Sequence, residues 1–164
     1  MDLELRKKSH EQFRSIWKAA QTGDLDSLSD EQRSLAGIMI EHEQYHDQFE
    51  IANMFYDYDY DAGSKTNPFL HITLHQVIQD QLEQREPIEA LQFYNSMRRH
   101  KVSRHEAIHC IAAILSFLFY DLSARKEEFD NEKYRSLLRK YKNKKPEKLM
   151  DALEKEFAFD YGPG

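Results

Sequence analysis

Apolar residues recur every three to four positions along most of the chain, which is the spacing of one face of an α-helix. The first such stretch runs from about residue 3 to residue 20 and is followed by the polar segment TGDLDS. A capping box of Ser29 with Gln32 predicts a second helix that continues through about Met54. The other helix-start signals are Pro68 after Asn67, Pro87, a second capping box of Ser103 with Glu106, and Pro146.

These signals predict an all-α fold, since no alternating apolar run stands out and the chain has five glycines and four prolines. We expect a single-domain bundle of about five to seven helices that occupies residues 1–164. The core bundle is predicted over about 3–127, two C-terminal helices near 131–142 and 147–157, and a frayed tail over 158–164. With 164 residues and 40% hydrophobic content, the chain can form one sizeable core.

Charge and hydropathy narrow the expected partners. The formal net charge of −6 argues against general nucleic-acid affinity, and the basic run over 139–148 is expected to be a solvated connector. The longest apolar run, over 111–120, is about half a membrane span, and no charged-then-apolar leader opens the chain. We therefore expect a cytoplasmic protein without a nucleic-acid or membrane partner, and its oligomeric state is open.

Histidine spacing is the main chemical signal in the sequence. Six of the eight histidines form pairs with a spacing of four residues, whereas random placement predicts roughly 0.4 such pairs. The pairs are His42/His46, His71/His75 and His105/His109. Residues four apart on a helix lie on one face about one turn apart, so two imidazoles can reach the same ion.

All three pairs are predicted to face a core. His42 and His46 share a helical stripe with Ile38 and Phe49, and the other two pairs are flanked by leucine, isoleucine or phenylalanine in the same way. Buried imidazoles need partners, because each unpaired polar group costs about 1–3 kcal/mol. One metal ion would satisfy several of them.

Metal binding is therefore the first hypothesis for the function. Imidazole ligands suit a divalent transition metal, with zinc or iron ahead of nickel or copper. A carboxylate would offset the charge of the ion, and Glu50, one turn beyond His46, is the predicted additional ligand, with Glu43 and Glu106 as further candidates. Such a site would bind a small molecule or support oxygen or water chemistry. Whether it is catalytic is left open.

The alternative is a non-catalytic structural or interaction protein. In that case each histidine donates a ring N–H to a carbonyl or carboxylate, and the six form a hydrogen-bonded network in the core. Two further features of the sequence resemble metal-binding elements but are not expected to bind a metal. The segment DYDYDAG over 57–63 starts like a calcium-binding loop, but Ala62 and Pro68 replace the glycine and the glutamate that such a loop requires. Cys110, the single cysteine, is expected to be a small buried residue.

The sequence also resembles a bacterial family of domains of unknown function, numbered eighteen forty-one. The segments that carry the resemblance are HEQYH over 42–46, TNPFLHITLH over 66–75, and HEAIH over 105–109 followed by an apolar helix. The resemblance covers most of the chain and implies that all six paired histidines are family features. It implies no activity, substrate or cofactor.

Overall fold

The fold of the described residues is all-α, as predicted. The computed structural model describes residues 3–58, 60 and 67–158, and in that part of the chain it contains helices and connecting turns but no strand. The α-helices are α1 (Leu3–Thr22), α2 (Asp30–Glu41), α3 (His46–Glu50), α4 (Pro68–Gln84), α5 (Ile88–Arg99), α6 (Arg104–Arg125), α7 (Asn131–Tyr141) and α8 (Pro146–Ala158). These eight helices exceed the five to seven expected, because the second predicted helix is divided into α2 and α3.

The chain forms two compact units, Met1–Gln76 and Val77–Gly164, whose boundary lies inside α4. The single-domain organisation stays a prediction. Of the tail predicted to fray, residues 159–164 lie outside the described residues, as do Asp59 and Asp61 of the segment DYDYDAG over 57–63.

The first unit is built around α1, which packs against α2, α3 and the short 3-10 helix Ala52–Met54. Its buried core includes Phe13, Ile16 and Trp17 of α1, Ile38 and Met39 of α2, Phe49 of α3, and Phe69 and Ile72 of α4. Two side chains fasten the helices by polar contacts. His10 Nδ1 donates a hydrogen bond to the carbonyl of Ala52 (2.9 Å), and Gln76 Nε2 donates to the carbonyl of Glu31 (3.2 Å).

The second unit is built around α6, which packs against α5, α7 and α8. Its buried core includes Phe93, Met97, Ile111, Leu115, Leu118, Leu138 and Leu153. The buried carboxylate of Asp121 joins two helices of this unit, because it accepts hydrogen bonds from Arg125 of the same helix α6 (2.9 Å) and from Lys133 of α7 (2.8 Å). Burial raises the pKa of Tyr134, whose hydroxyl donates to Gln81 Oε1 (2.8 Å).

Helix starts agree closely with their sequence signals. Ser29 and Gln32 form both hydrogen bonds of a capping box at α2. Asn67 Oδ1 accepts from the backbone N–H groups of Phe69 and Leu70, and Ser103 Oγ accepts from that of Glu106. These side chains satisfy N–H groups that have no partner within the helix. The positions of α4 and α6, which carry four of the six paired histidines, follow from these caps.

Within the part of the chain that the structure describes, one helix has the length and composition expected of a membrane span. The segment Arg104–Leu122 of α6 has a mean hydropathy of 1.3, and 56% of it is buried inside the structure. A buried core helix of a soluble protein has the same length and composition, so this feature is weak support for a membrane span. The absence of a membrane partner stays a prediction.

Candidate metal centre

The pair His42/His46 does not lie on one helix, which corrects the predicted helix through Met54. Helix α2 ends at Glu41, a 3-10 turn follows over Glu43–Tyr45, and α3 begins at His46. The cause is the pair of histidines itself. His42 Nδ1 donates to the carbonyl of Ile38 (2.7 Å), and His46 Nε2 donates to the carbonyl of Met39 (3.2 Å). Both carbonyls lie in the last turns of α2, where backbone acceptors lack partners within the helix.

This arrangement leaves His42 with a ring nitrogen suited to a metal. A carbonyl oxygen only accepts hydrogen bonds, so the proton of the neutral ring is on Nδ1 and the lone pair is on Nε2. Metal-ligating histidines commonly donate their other N–H to a carbonyl in this way. The side chain of His42 is fully buried. Its position and tautomer are thus fixed by the end of α2.

Three histidine rings form a cluster in the first unit. His71 and His75 lie one turn apart on α4, with ring centroids 4.8 Å apart. The ring of His42 lies 4.9 Å from that of His71 and 4.6 Å from that of His75, in edge-to-face contact with both. His75 is as buried as His42, whereas His71 is half-buried. One ring nitrogen of His42 and one of His75 lie within 4.8 Å of each other, a spacing that one ion could bridge.

The second unit carries the pair His105/His109 on α6. Their ring centroids are 4.2 Å apart, and both side chains are half-buried. One ring nitrogen of each lies within 4.8 Å of the other. Burial, with a smaller contribution from the charge of Glu106, raises the pKa of the neighbouring Cys110 thiol to about 11. The expectation that Cys110 is a small buried residue is confirmed.

His46 and Glu50 lie around Trp17 rather than in the three-ring cluster. The ring of His46 is 4.4 Å from that of Trp17, and the indole N–H donates to Glu50 Oε2 (3.2 Å). Glu50 is exposed, and its backbone carbonyl accepts from Arg14 (3.1 Å). Glu43 and Glu106 are also exposed. The structure therefore gives His46 and Glu50 contacts that hold α3 against α1.

Tyr45 is a residue whose role at the cluster the sequence did not reveal. Its ring lies 5.4 Å from that of His71 and parallel to that of His42, at 6.2 Å. It sits in the turn between α2 and α3 that the predicted continuous helix lacks. The only signal in the sequence was its place on the same apolar stripe as His42.

The helices and the cluster of buried imidazoles define an all-α protein whose side chains could hold a metal ion. Residues 5–140 match the family described as "Domain of unknown function (DUF1841)". The chain belongs to this family, and the matched segment contains all six paired histidines. Neither the comparison with curated proteins nor that with solved structures gives a match.

Proposed function

We propose that the protein binds a divalent transition-metal ion through its paired histidines. The candidate ligands are His42 and His75 in the first unit, and His105 and His109 in the second. His46 and Glu50, predicted ligands from the sequence, are not included because of their contacts around Trp17.

The observation that carries the proposal is the tautomer of His42. Its Nδ1–H donates to the carbonyl of Ile38 at 2.7 Å, so Nε2 has a lone pair inside a buried cluster of imidazoles. A histidine that donates one ring N–H to a backbone carbonyl and presents the lone pair of its other ring nitrogen has the arrangement that is common among metal-ligating histidines.

Neutral imidazole nitrogens favour zinc or iron, with nickel or copper next, and disfavour magnesium or calcium. Four protein ligands in a closed tetrahedron are typical of structural zinc, whereas an ion with only three protein ligands keeps one position open for water or a small molecule. The ion would supply Lewis-acid or redox chemistry, and the histidines would fix its geometry. We propose small-molecule, oxygen or water chemistry as the use of such a position.

The test is the metal content of the protein purified without chelators and without a histidine tag. We expect at least about one transition-metal ion per chain, measured by elemental analysis. His75→Gln should lose most of this metal, since it removes a buried ligand. His46→Gln, in which the imidazole of a paired histidine is also lost, should retain it, and His100→Gln, at the exposed end of α5, should match the wild type.

Equal metal content in the His75→Gln and His100→Gln variants would contradict the proposal. So would a wild-type protein that binds no zinc, iron, nickel or copper after dialysis against each.

A hydrogen-bonded core network is the second candidate, and specific contacts favour it. His10 and His46 both donate to backbone carbonyls, at 2.9 Å to Ala52 and 3.2 Å to Met39. In this case the protein is a structural or interaction module, and the same metal analysis separates the two candidates. A stable, metal-free wild type whose stability falls in His75→Gln would support the network.

A further inference from the structure

We propose that a basic surface at one end of the second unit binds the phosphate backbone of double-stranded DNA without reading its sequence. This basic surface consists of residues 98–104, where α5 ends and α6 begins, and residues 140–148, where α7 ends and α8 begins. The two segments together contain nine Lys and Arg residues and one acidic residue, Glu147. The inference is independent of the proposed metal site.

The two basic segments lie side by side in the folded unit. Arg139 of α7 pairs with Glu89 near the start of α5 (2.7 Å), and Ser96 Oγ near the end of α5 donates to Asn143 Oδ1 in the turn after α7 (2.9 Å). Since these contacts advance in the same direction along both helices, the ends of α5 and α7 point the same way. The structure thus joins two basic runs that are well separated in the sequence.

Most cations of the basic surface are available to an external anion. Arg135 and Arg139, farther back on α7, pair with glutamates. In contrast, six cations of the basic surface form no ion pair in the part of the chain that the structure describes: Arg99, Lys101, Arg104, Lys142, Lys145 and Lys148. Five of these side chains are exposed, and that of Lys142 is half-buried.

Helix stability does not explain where these charges stand. A cation near the C-terminal end of a helix is favoured by the helix dipole, and Arg99 at the end of α5 has this position. However, Arg104 is the first residue of α6 and Lys148 lies in the first turn of α8, where the positive end of the dipole disfavours a cation. Choices that oppose local stability are expected at functional sites.

The side chains of the basic surface favour a phosphate backbone over other anionic partners. Neither segment contains a large exposed hydrophobic residue. Helices that lie on membranes insert such residues, proteins that bind single strands stack bases on aromatic rings, and protein interfaces have an apolar centre. Arg and Lys without apolar neighbours are typical of contacts to the phosphates of a double helix.

The spacing of the two segments is suited to B-form DNA. Packed helices lie about 8–10 Å apart, so the ends of α5 and α7 can contact phosphates on both sides of a major groove that is about 12 Å wide. In A-form RNA the major groove is narrower. The expectation of no nucleic-acid partner rested on the net charge of −6, whereas phosphate binding depends on the local charge.

The experiment measures binding of the untagged full chain to a fluorescein-labelled DNA duplex of about 20 base pairs, by fluorescence anisotropy at several salt concentrations. Wild type should bind with a Kd of about 10⁻⁶ M at about 50 mM salt. The logarithm of its affinity should fall with the logarithm of the salt concentration, with a slope of about −3 to −5.

Two triple variants each remove the unpaired charges of one segment. The first combines Arg99→Gln, Lys101→Gln and Arg104→Gln, and the second combines Lys142→Gln, Lys145→Gln and Lys148→Gln. Each should weaken binding at least about tenfold at low salt and make the slope shallower by about 2–3, because three phosphate contacts are lost. Circular dichroism checks the fold, and either variant alone decides the result.

The matched control changes the net charge by the same amount in the first unit. It combines Lys7→Gln, Lys8→Gln and Lys18→Gln, which alter exposed side chains of α1. This control should bind the duplex within about twofold of wild type, since it leaves the basic surface intact.

Three results would overturn the proposal. Wild type that does not bind the duplex at low salt has no such surface. Equal weakening by the α1 control and by the two triple variants would assign binding to net charge. Tighter binding to single-stranded DNA, to an RNA duplex, or to vesicles of phosphatidylcholine and phosphatidylserine would assign the surface to that partner instead of duplex DNA.

Discussion

At the scale of single residues, His42 and His46 show that equal spacing does not give equal chemistry. Both donate to carbonyls at the end of α2, but His42 uses Nδ1 and His46 uses Nε2. The ring nitrogen used and the contact of His46 with Trp17 together separate the candidate ligand His42 from His46, and sequence spacing carries no information about either.

Asp121 gives a prediction at the same scale. Burial is the largest influence and raises the pKa of this carboxyl, but the hydrogen bonds and charges of Lys133 and Arg125 together outweigh it and lower the pKa. The folded pKa thus lies below the unfolded value of about 3.9. The ionised form stabilises the fold above about pH 4, and this stabilisation is lost as the pH falls through the folded pKa.

Asp121→Asn should therefore lower the free energy of unfolding at pH 7 by about 1–3 kcal/mol, because it removes a buried charge that pairs with Arg125 and Lys133. The loss is not larger because the side chains of both partners are partly exposed to solvent. Urea unfolding at several pH values measures this, and the difference from wild type should shrink towards pH 3. Asp30→Asn is the control, since Asp30 is exposed and pairs with Arg33 on the surface; its effect should stay below about 1 kcal/mol. An equal loss in both variants would refute the importance of burial.

At the scale of helices, the starts could be predicted from the sequence but several ends could not. Ser29, Asn67 and Ser103 cap their helices by short-range hydrogen bonds, which depend on neighbouring residues alone. The end of α2 carries no glycine or proline, and the apolar pattern continues beyond it to Phe49. What ends it is side-chain bonding by His42 and His46, which the hydrophobic pattern does not reveal.

Helices α4, α5 and α6 also end without the usual glycine. Arg85, Lys101 and Lys126 follow these helices with φ of 57°, 64° and 58°. In each case the next backbone N–H bonds back to a carbonyl five residues earlier, such as Val102 to Met97 at 3.2 Å. This is the Schellman pattern, in which glycine is favoured because a Cβ makes positive φ costly.

Lys101→Gly should accordingly raise the free energy of unfolding by about 0.5–1 kcal/mol, since glycine adopts φ of 64° without strain. Lys142→Gly is the matched control, because Lys142 ends α7 with φ of −53° and gains nothing from glycine. Chemical denaturation of both variants measures the difference. Stabilisation of both, or of neither, would argue against backbone strain at Lys101.

At the scale of the whole molecule, the sequence predicted the all-α class and the burial of His42 and His75, because hydrophobic periodicity specifies which face of a helix is covered. The sequence did not predict the division into two compact units after Gln76, since the boundary falls within a continuous helix rather than in a linker rich in glycine, proline or serine. The placement of Glu50 was equally unpredictable, because it depends on Trp17, which lies 33 residues away in the chain.

Metal removal gives a prediction for the whole molecule. A ligand that binds only the folded chain stabilises it by about 2.7 kcal/mol at one hundred times its Kd. For a chain of this size that corresponds to a Tm shift of roughly 5–10 °C. Excess chelator should therefore lower the Tm of the metal-loaded wild type by this amount in calorimetry, and should leave the Tm of His75→Gln unchanged. A chelator shift of the same size in His75→Gln would contradict ligation by this residue.

The contact of Trp17 with His46 and Glu50 also means that tryptophan fluorescence can report on the unfolding of the protein. Trp17 is the single tryptophan of the chain and is buried in the first unit. Its emission therefore follows the unfolding of that unit alone, while far-ultraviolet circular dichroism averages over the helices of both. Coincidence of the two signals during denaturation would mean that the units unfold as one cooperative body. Separate midpoints would assign a distinct stability to each unit without any label or truncation.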